Sequence, residues 1–349
     1  MLLLFSHIRC ENYCDTHECD EFTRSVVEKR EVARRKAREE TEFLEKTVKQ
    51  IEESCGEVCD TSKEPETETG KYYPVIRKHF DCEKLFNSPD LTVESIVSKP
   101  LRQIPKSLAA NFTHDGRIPV GRSYYDDAGG SGHNLVWTKE NIDRRIDSGD
   151  FGGSYGAAAT IDLRGALLEH GDLEGKRVLV VGSQHPWVEA LALSTGAAHV
   201  TTVDYVKIES RHPRVATQTP AEMAAAFLAG AIEPFDAVIS FSSLEHSGMG
   251  RYGDLLNPWG DLITMARVWC LLKDGGMALI GVPAGSDKVL FNANRRYGPV
   301  MVPHLFANFR LVYSDVAVEG LKDMMEERQP VFIVRKQAIV SSGNETEST

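Results

Sequence analysis

The feature that most constrains the fold is a regular alternation of apolar strands and helical segments that begins at Gly175. This alternation is typical of a parallel α/β sheet with helices on both faces. It predicts strands at residues 177–182, 199–204, 235–241 and 276–282, and two later strands near 309–314 and 330–336. It predicts helices near residues 186–195, 220–229 and 259–272. The predicted fold class is therefore α/β, with a three-layer, Rossmann-like sheet.

The chain before Gly175 is less regular and is predicted to form a helical and irregular extension. Residues 21–53 carry many charges of both signs and favour one long helix. The seven-residue apolar repeat of this helix has a polar second seam, so we expect a solvated helix, with dimerisation through it as the alternative. The predicted units are a charged helix and polar linker at 1–70, partly disordered, an irregular lid at 71–170, the α/β domain at 171–338 and a disordered tail at 339–349.

Charge and hydropathy limit the partners of the chain. The formal net charge of −11 argues against a protein built to neutralise nucleic-acid phosphates. No apolar run approaches the about 18 residues that a membrane span requires. We therefore expect no nucleic-acid partner and no membrane span. Two Asn-x-Thr tripeptides begin at Asn111 and Asn344, and they leave a secretory-pathway lumen open as the alternative to the cytoplasmic location that we predict.

The seven cysteines are an odd number and lack the C-x-x-C pairs of a structural zinc site. They stand in two groups and two single positions: Cys10, Cys14 and Cys19; Cys55 and Cys59; Cys82; and Cys270. We expect free thiols, with a disulfide pair in an oxidising lumen as the alternative.

The segment VLVVGSQHPWVE at residues 178–189 is a strand-to-helix turn with few glycines. A dinucleotide fingerprint needs glycines where this chain has Gln184 and Trp187, because side chains there obstruct the pyrophosphate and the helix packing. NAD is therefore disfavoured, and no G-x-x-x-x-G-K-[ST] loop for a P-loop nucleotide is present. S-adenosylmethionine has no pyrophosphate, and Asp204 follows the second strand, where a carboxylate can accept from the ribose hydroxyls. A strand-end cap is the alternative role for Asp204.

Three segments resemble motifs of class I S-adenosylmethionine-dependent methyltransferases: RVLVVGSQHPWVEALALSTGAAHVTTVDY, FDAVISFSSLEH and CLLKDGGMALIGVP. The run at residues 242–298 is more similar still to a nematode-type family of uncharacterised methyltransferase-like domains, domain of unknown function 268. The resemblance covers roughly residues 150–320. It implies a seven-stranded sheet whose last strand is antiparallel, with S-adenosylmethionine at the carboxyl ends of the first two strands.

The resemblance also implies which residues bind the cofactor. Gly182 and Ser183 would lie under its amino-acid end, and Asp204 would hold the ribose. Thr217 and Gln218, just after a short third strand, are candidates for the adenine edge.

The loop after the fourth strand is predicted to border the transferred methyl group. It contains Glu245, a cofactor-binding candidate, and His246, which we predict to be the general base because an imidazole can take a proton from an alcohol near neutral pH. The alternative is that His246 only shapes the cofactor pocket. Asp254 is predicted to assist His246 or bind substrate, and Asp261 to cap the following helix. No metal is predicted, although Glu245, Asp254 and Asp287 offer an alternative divalent site.

Polar and aromatic side chains near these loops are predicted to bind the methyl acceptor. The main candidates are Arg251, Tyr252, Asn292, Arg296 and Tyr297. Their neighbours in this prediction are Asn294 and Arg295, together with Tyr124 and Tyr125 from the glycine-rich loop at 121–138. Such side chains suit a polar or anionic acceptor, whereas the alternative is a hydrogen-bonded loop with solvated arginines.

The predicted function is transfer of a methyl group from S-adenosylmethionine to an oxygen of a sugar or a small polar metabolite. One alternative is a non-catalytic methyltransferase-like protein that binds or assembles partners. The other is a glycan-modifying enzyme of different chemistry on a related α/β fold.

Overall fold

The computed structural model describes residues 21–62, 75–94, 99–125, 135–152, 156–316, 320–321 and 329–337. The predicted tail at 339–349 and the cysteines at 10, 14 and 19 lie outside the described residues. The chain divides into two units, residues 1–46 and residues 47–349, and each is described by itself.

The first unit contains most of helix α1, Glu21–Cys55, which confirms the predicted long helix. Its side chains from residue 28 to residue 39 are exposed. Ion pairs one turn apart join Arg35 to Glu39 and Arg38 to Glu42, at 3.9 and 2.8 Å. Exposed pairs of this kind are screened by water and contribute little each, so the charge pattern marks a solvated helical face. Self-association through this helix stays a prediction.

The second unit alternates helices with strands. Its helices are α2 Cys82–Phe86, α3 Pro89–Thr92, α4 Ala109–Phe112, α5 Lys139–Ser148, α6 Gly156–His170, α7 Trp187–Ser194, α8 Pro220–Leu228, α9 Gly260–Leu271 and α10 Met301–Leu305. Its strands are β1 Val120–Arg122, β2 Leu135–Trp137, β3 Arg177–Val181, β4 His199–Val203, β5 Ile208–Ser210, β6 Val215–Gln218, β7 Phe235–Phe241, β8 Leu272–Gly281, β9 Lys288–Phe291, β10 Asn294–Arg296, β11 Phe309–Ser314 and β12 Val331–Lys336.

Seven strands form one sheet in the order β11-β12-β8-β7-β3-β4-β6. Strands β6, β4, β3, β7 and β8 are parallel, and β12 runs antiparallel to both of its neighbours, β8 and β11. This confirms the predicted α/β sheet with its last strand antiparallel. Because parallel strands end on the same side, the carboxyl ends of β3, β4 and β7 meet at one edge, where open α/β sheets bind their ligands.

The interior strand β3 is a nearly continuous apolar run because both of its faces are covered. On one face, Val178 and Val180 lie in the main core, which also contains residues of α6 and α7. Alternation along the strand directs Leu179 and Val181 to the opposite face. There they line a cavity together with residues of α8 and α9.

Helix α8 begins where its sequence provides a capping box. The hydroxyl of Thr219 accepts from the backbone N–H of Glu222 at 3.2 Å, and the carboxylate of Glu222 accepts from the backbone N–H of Thr219 at 2.7 Å. Pro220 occupies the first turn, where a missing N–H is tolerated. These contacts fix the start of the helix beside the carboxyl end of β6.

Some predicted boundaries differ from the structure. Strand β8 begins at Leu272 rather than near residue 276, and β6 includes Thr217 and Gln218, which the prediction places after it. Two small sheets, β1-β9-β10 and β2-β5, have no counterpart in the prediction. Most of their strands have only three residues, too few to show a period of two.

The prediction of free thiols is wrong for four cysteines. Cys55 is bonded to Cys59, and Cys82 to Cys270. The second pair is separated by 188 residues in sequence, so nothing in the local pattern reveals it. In the described part of the chain, no helix is long and apolar enough to cross a bilayer.

Candidate functional site

The turn after β3 has a glycine that the fold requires. Gly182 has a φ of +74°, and a Cβ built on it would lie 1.7 Å from the hydroxyl oxygen of Ser243. Its N–H donates to the carbonyl of Val203 at 2.9 Å, which ties the turn to the end of β4. A side chain at this position would therefore strain the backbone and collide with the loop that follows β7.

Ser183 and Asp204 are joined directly across the ends of β3 and β4. The backbone N–H of Ser183 donates to Oδ2 of Asp204 at 2.9 Å, and the N–H of Val206 donates to Oδ1 at 2.8 Å. Burial raises the pKa of the Asp204 carboxyl, and these two donors oppose the rise. Each carboxylate oxygen keeps a further lone pair with which it can accept from a ligand hydroxyl.

A cavity of about 200 Å³ opens at this edge of the sheet. Its polar lining includes Gly182, Ser183, Asp204, His246, Tyr252 and Asp254, all predicted site residues. Its apolar lining includes Phe86, Leu91, Met223, Phe241, Val268 and Leu271. The cavity thus combines a few hydrogen-bonding groups with many apolar side chains, which is the usual composition of a small-molecule site.

Trp187, which the dinucleotide pattern would replace with glycine, lines this cavity. The side chain is buried and packs edge-on against Phe241, with 5.5 Å between ring centroids. The indole of Trp187 is part of the cavity wall and leaves the space beside Gly182 and Asp204 open. The indole of Trp137 donates to the carbonyl of Gln184 at 3.4 Å and supports the turn from outside.

Glu189 is a site residue that the sequence prediction missed. Its carboxyl is fully buried on α7 and accepts from the hydroxyls of Thr202 at 2.7 Å and Ser183 at 3.1 Å. Burial raises the pKa of Glu189 to about 7, and the nearby Asp204 adds to the rise. The available signal was a single charged residue in the mostly apolar segment WVEALALS.

His246 lines the cavity with its ring half-buried. Its Nδ1 lies 2.6 Å from the carbonyl of Ala293, so Nδ1 carries the proton and donates it. Nε2 lies 3.6 Å from the nearest Glu245 carboxylate oxygen. Burial lowers the pKa of His246, which favours a neutral ring at pH 7. A neutral imidazole in this tautomer has its lone pair on Nε2.

Asp254 lines the cavity, but backbone groups surround its carboxylate. It accepts from the N–H groups of Gly250, Arg251 and Tyr252 at 3.0–3.1 Å. Burial raises the pKa of Asp254, and these donors oppose the rise. The side chain therefore shapes the 250–254 loop that presents Tyr252 to the cavity.

Arg251 forms a stack just outside the cavity. Its guanidinium carbon lies 4.4 Å from the ring centre of Tyr125 and 4.7 Å from that of Tyr252. Tyr252 in turn contacts the ring of His246 edge-on, with 5.5 Å between centroids. An aromatic and cationic surface thus leads from His246 to the exposed ring of Tyr125. Residues 126–134 of the predicted glycine-rich loop lie outside the described residues.

Other predicted site residues hold loops together instead of lining the described cavity. Thr217 donates to the carbonyl of Ile208 at 2.6 Å, and Gln218 ends β6. Glu245 is fully buried and accepts from the hydroxyl of Ser242 at 2.7 Å. None of these three is among the described residues that line the cavity.

The acceptor-binding candidates after β8 are also hydrogen-bonded to other groups of the protein. Buried Asn292 accepts from the N–H of Tyr125 at 2.5 Å, and Arg296 donates to the carbonyl of Ser286 at 2.7 Å. Tyr297 is fully buried and its hydroxyl donates to Asp261 at 2.9 Å. None of these three residues is among the described residues that line the cavity.

The predicted N-cap role of Asp261 is wrong. Trp259 is the N-cap of α9, and Asp261 lies in the first turn with its carboxylate 3.4 Å from Arg295 and bonded to Tyr297. The alternative hypothesis of solvated arginines is wrong for Arg295. Its side chain is buried and donates to the carbonyl of Ser247 at 2.6 Å. These contacts anchor the loop before α9.

The alternative divalent-metal site finds no support in the geometry. Asp287 accepts from the N–H groups of Gly298, Val300 and Met301 at 2.9–3.0 Å, so it orders its own loop. The described residues contain no group of three His, Cys, Asp or Glu side chains that could hold a metal ion.

The sheet has the seven strands and the antiparallel last strand of the class I methyltransferase pattern. A family model described as "Caenorhabditis protein of unknown function, DUF268" matches residues 175–336. The domain has a class I methyltransferase-like fold and is related to DUF268. Comparison with curated protein sequences gives no match.

Several solved structures are similar to the DUF268-like domain. The 1,6-didemethyltoxoflavin-N1-methyltransferase of Burkholderia thailandensis is 19% identical, with a TM-score of 0.34 over 57% of this chain and 84% of that one. An S-adenosylmethionine-dependent methyltransferase of Mesorhizobium loti is 14% identical, with a TM-score of 0.33 over 53% and 100%. The N-methyltransferase NodS of Bradyrhizobium japonicum is 13% identical, with a TM-score of 0.32 over 52% and 95%.

The cavity of the DUF268-like domain offers three chemical capabilities. The Asp204 carboxylate can accept hydrogen bonds from vicinal hydroxyls. The apolar interior can bury a planar ring. The neutral ring of His246 can take up a proton at Nε2.

Proposed function

We propose that the DUF268-like domain binds S-adenosylmethionine and transfers its methyl group to a hydroxyl oxygen of a small polar acceptor, such as a sugar. The observation that carries this proposal is that the Gly182–Ser183 turn, Asp204 and His246 line one cavity at the carboxyl edge of β3, β4 and β7. An adenosyl ligand and a proton acceptor would therefore share one site.

The side chains that line the cavity suit this cofactor. Asp204 would accept from the two ribose hydroxyls, while Met223, Val206 and Pro220 offer an apolar surface to the adenine ring. The turn at Gly182 has no run of glycine amides for a pyrophosphate, and an adenosyl sulfonium requires none. When bound, S-adenosylmethionine would supply an electrophilic methyl group.

His246 would act as the general base. Donation from Nδ1 to the Ala293 carbonyl fixes the ring and leaves Nε2 to take the acceptor proton. Because burial lowers the pKa of His246, the ring is in its proton-accepting form at neutral pH. A base held in this orientation aligns the acceptor oxygen while it removes the proton.

The outer surface suits a polar acceptor. The stack of Tyr125, Arg251 and Tyr252 leads toward His246 and presents aromatic faces of the kind that pack against sugar rings. The guanidinium of Arg251 adds hydrogen-bond donors to this surface. These groups favour a hydroxyl-bearing acceptor over a lipid.

Transfer of a labelled methyl group into a mixture of sugars and polar metabolites tests the activity. The wild-type chain should label an acceptor, and His246→Ala should lower turnover at least a hundredfold, in line with the loss of a general base. His199→Ala is the matched control, because His199 begins β4 at the opposite edge of the sheet. Equal turnover of the wild type and His246→Ala would rule out His246 as the general base. Absence of any labelled product would rule out the proposed methyl transfer.

A further inference from the structure

One wall of the cavity comes from outside the α/β domain. Residues 82–92, here called the wall segment, comprise α2 and α3 and pack against α8 and α9. Phe86 stacks on Phe227 of α8, with 4.1 Å between ring centroids. Phe86 and Leu91 line the same cavity as Asp204 and Met223. The cavity is therefore bounded on this side by a segment that belongs to the N-terminal extension.

The wall segment is joined to α9 by a buried ion pair. Both terminal nitrogens of Arg267 lie 2.8 Å from the two carboxylate oxygens of Asp90. The same guanidinium donates to the carbonyl of Leu85 at 3.0 and 2.8 Å. A bidentate pair with these extra acceptors has a defined geometry, so it sets the distance between the wall segment and α9.

A covalent bond joins the same two elements one helical turn further on. Cys82, the first residue of α2, is bonded to Cys270, near the end of α9. Both residues are half-buried. The disulfide joins two internal segments of the chain that are 188 residues apart in sequence. A cross-link of this kind strongly restricts the separation of the elements that it joins.

We propose that the wall segment closes the adenosyl half of the cavity and that the Cys82–Cys270 disulfide keeps it closed, so that reduction of this bond weakens cofactor binding. The inference rests on the proposed function for the identity of the ligand. Its structural part, a wall that loosens on reduction, is independent of that ligand.

The redox step is a thiol–disulfide exchange with a dithiol reductant. A thiolate of the reductant attacks one sulfur of the Cys82–Cys270 bond and forms a mixed disulfide, and the second thiol then displaces it. The products are two cysteine thiols and the oxidised, cyclic form of the reductant, so two electrons and two protons pass to the protein. After reduction, the wall segment keeps the Arg267–Asp90 pair, the hydrogen bonds to Leu85 and Ser88 and its apolar packing, but it loses the covalent link to α9. The population of molecules in which the segment has moved away from α9 therefore rises.

Calorimetric titration of S-adenosylmethionine into the oxidised and the dithiothreitol-reduced full-length chain tests the consequence for binding. We expect reduction to raise Kd at least tenfold. The double variant Cys82→Ser/Cys270→Ser should bind as the reduced protein does under both conditions. The matched control is Cys55→Ser/Cys59→Ser, which removes the other described disulfide and should keep the full response to reduction. Equal Kd values for the oxidised and reduced wild type would overturn the proposal.

Amide hydrogen exchange without cofactor tests the wall itself. Reduction should speed exchange in residues 82–92 at least tenfold and leave β3 and β4 unchanged, and this readout needs no variant that might fail to fold. Unchanged exchange in the wall segment would overturn the proposal even if the oxidised chain binds cofactor. If the oxidised chain binds no S-adenosylmethionine but exchange in the wall segment still rises, the proposed function fails and the disulfide-held wall stands.

Discussion

The backbone N–H of Ser183 donates to the carboxylate of Asp204 at 2.9 Å, which joins the turn after β3 to the end of β4. Gly182 makes this approach possible, because its N–H also bonds to Val203 and its α-carbon lies against Ser243. The hydroxyl of Ser183 reaches the buried Glu189 from the other side. Two carboxyl groups therefore hold the turn: that of Asp204, which lines the cavity, and that of Glu189, which is fully buried.

Gly182→Ala should destabilise the fold through both strain and collision. The positive φ costs about 1–2 kcal/mol for a residue with a Cβ, and overpacking against Ser243 adds about 1–3 kcal/mol. Gly175→Ala is a matched control, because Gly175 has a φ of +67° but no atom within 4 Å of its Cβ position. Urea denaturation should show a larger loss for Gly182→Ala, and equal losses would contradict the predicted collision.

Glu189 should make the folded state less stable as the pH rises. Its pKa is raised from 4.5 to about 7, so its contribution to stability is complete below pH 4.5 and is lost as the pH rises through 7. Between pH 5 and pH 8 the wild type should lose about 2 kcal/mol more than Glu189→Gln. Urea denaturation of both proteins at the two pH values measures the difference, and parallel pH profiles would refute the assignment.

Two buried histidines should make the protein sensitive to acid. His114 and His304 lie edge-to-face with 5.6 Å between ring centroids. Burial lowers the pKa of His114 to about 2 and that of His304 to about 3, from 6.5. Their contribution to stability is present above pH 6.5 and is lost as the pH falls, because the unfolded chain then binds the protons. From pH 7 to pH 5 each should contribute a loss of up to roughly 2 kcal/mol.

The replacement His304→Phe removes one of these titrating groups and keeps a ring of similar shape. Thermal unfolding from pH 7 to pH 5 should therefore be less steeply pH-dependent in this variant than in the wild type. An identical pH dependence would show that His304 is not buried as a neutral ring.

Asp90→Ala should be strongly destabilising because it leaves the guanidinium of Arg267 buried without its carboxylate. Both side chains are at least 90% buried. Breaking such a pair by removing one partner costs about 3–5 kcal/mol. The exposed pair of Arg211 and Glu209 provides the control, and Glu209→Ala should change the free energy of unfolding by less than about 1 kcal/mol. Comparable effects of the two variants in chemical denaturation would contradict the anchoring role of Arg267.

The sequence predicted the central sheet because its strands are long apolar runs bounded by turns. β3 and β7 could be located within one residue for this reason. The three-residue strands β1 and β2 could not, because they have too few positions for a pattern. The Cys82–Cys270 bond also escaped prediction, since sequence separation says nothing about which distant thiols meet.

The site was predictable where a position follows directly from the topology. Asp204 comes immediately after β4 and His246 lies in the loop that follows β7, so the sheet brings them to one edge. Residue type alone could not separate ligand-facing groups from groups that hold loops. Asn292 and Tyr297 look like binding residues in the sequence, but both are buried in contacts with the protein itself.

Calorimetric titration of S-adenosylmethionine into the oxidised wild type and into Asp204→Asn tests the central claim most directly. The wild type should bind, and Asp204→Asn should bind about tenfold or more weakly, because the amide cannot match the carboxylate as an acceptor for two hydroxyls. The exposed Asp172 supplies the control variant Asp172→Asn, which should bind as the wild type does. Absence of binding to the wild type, or equal affinity of Asp204→Asn, would contradict the account.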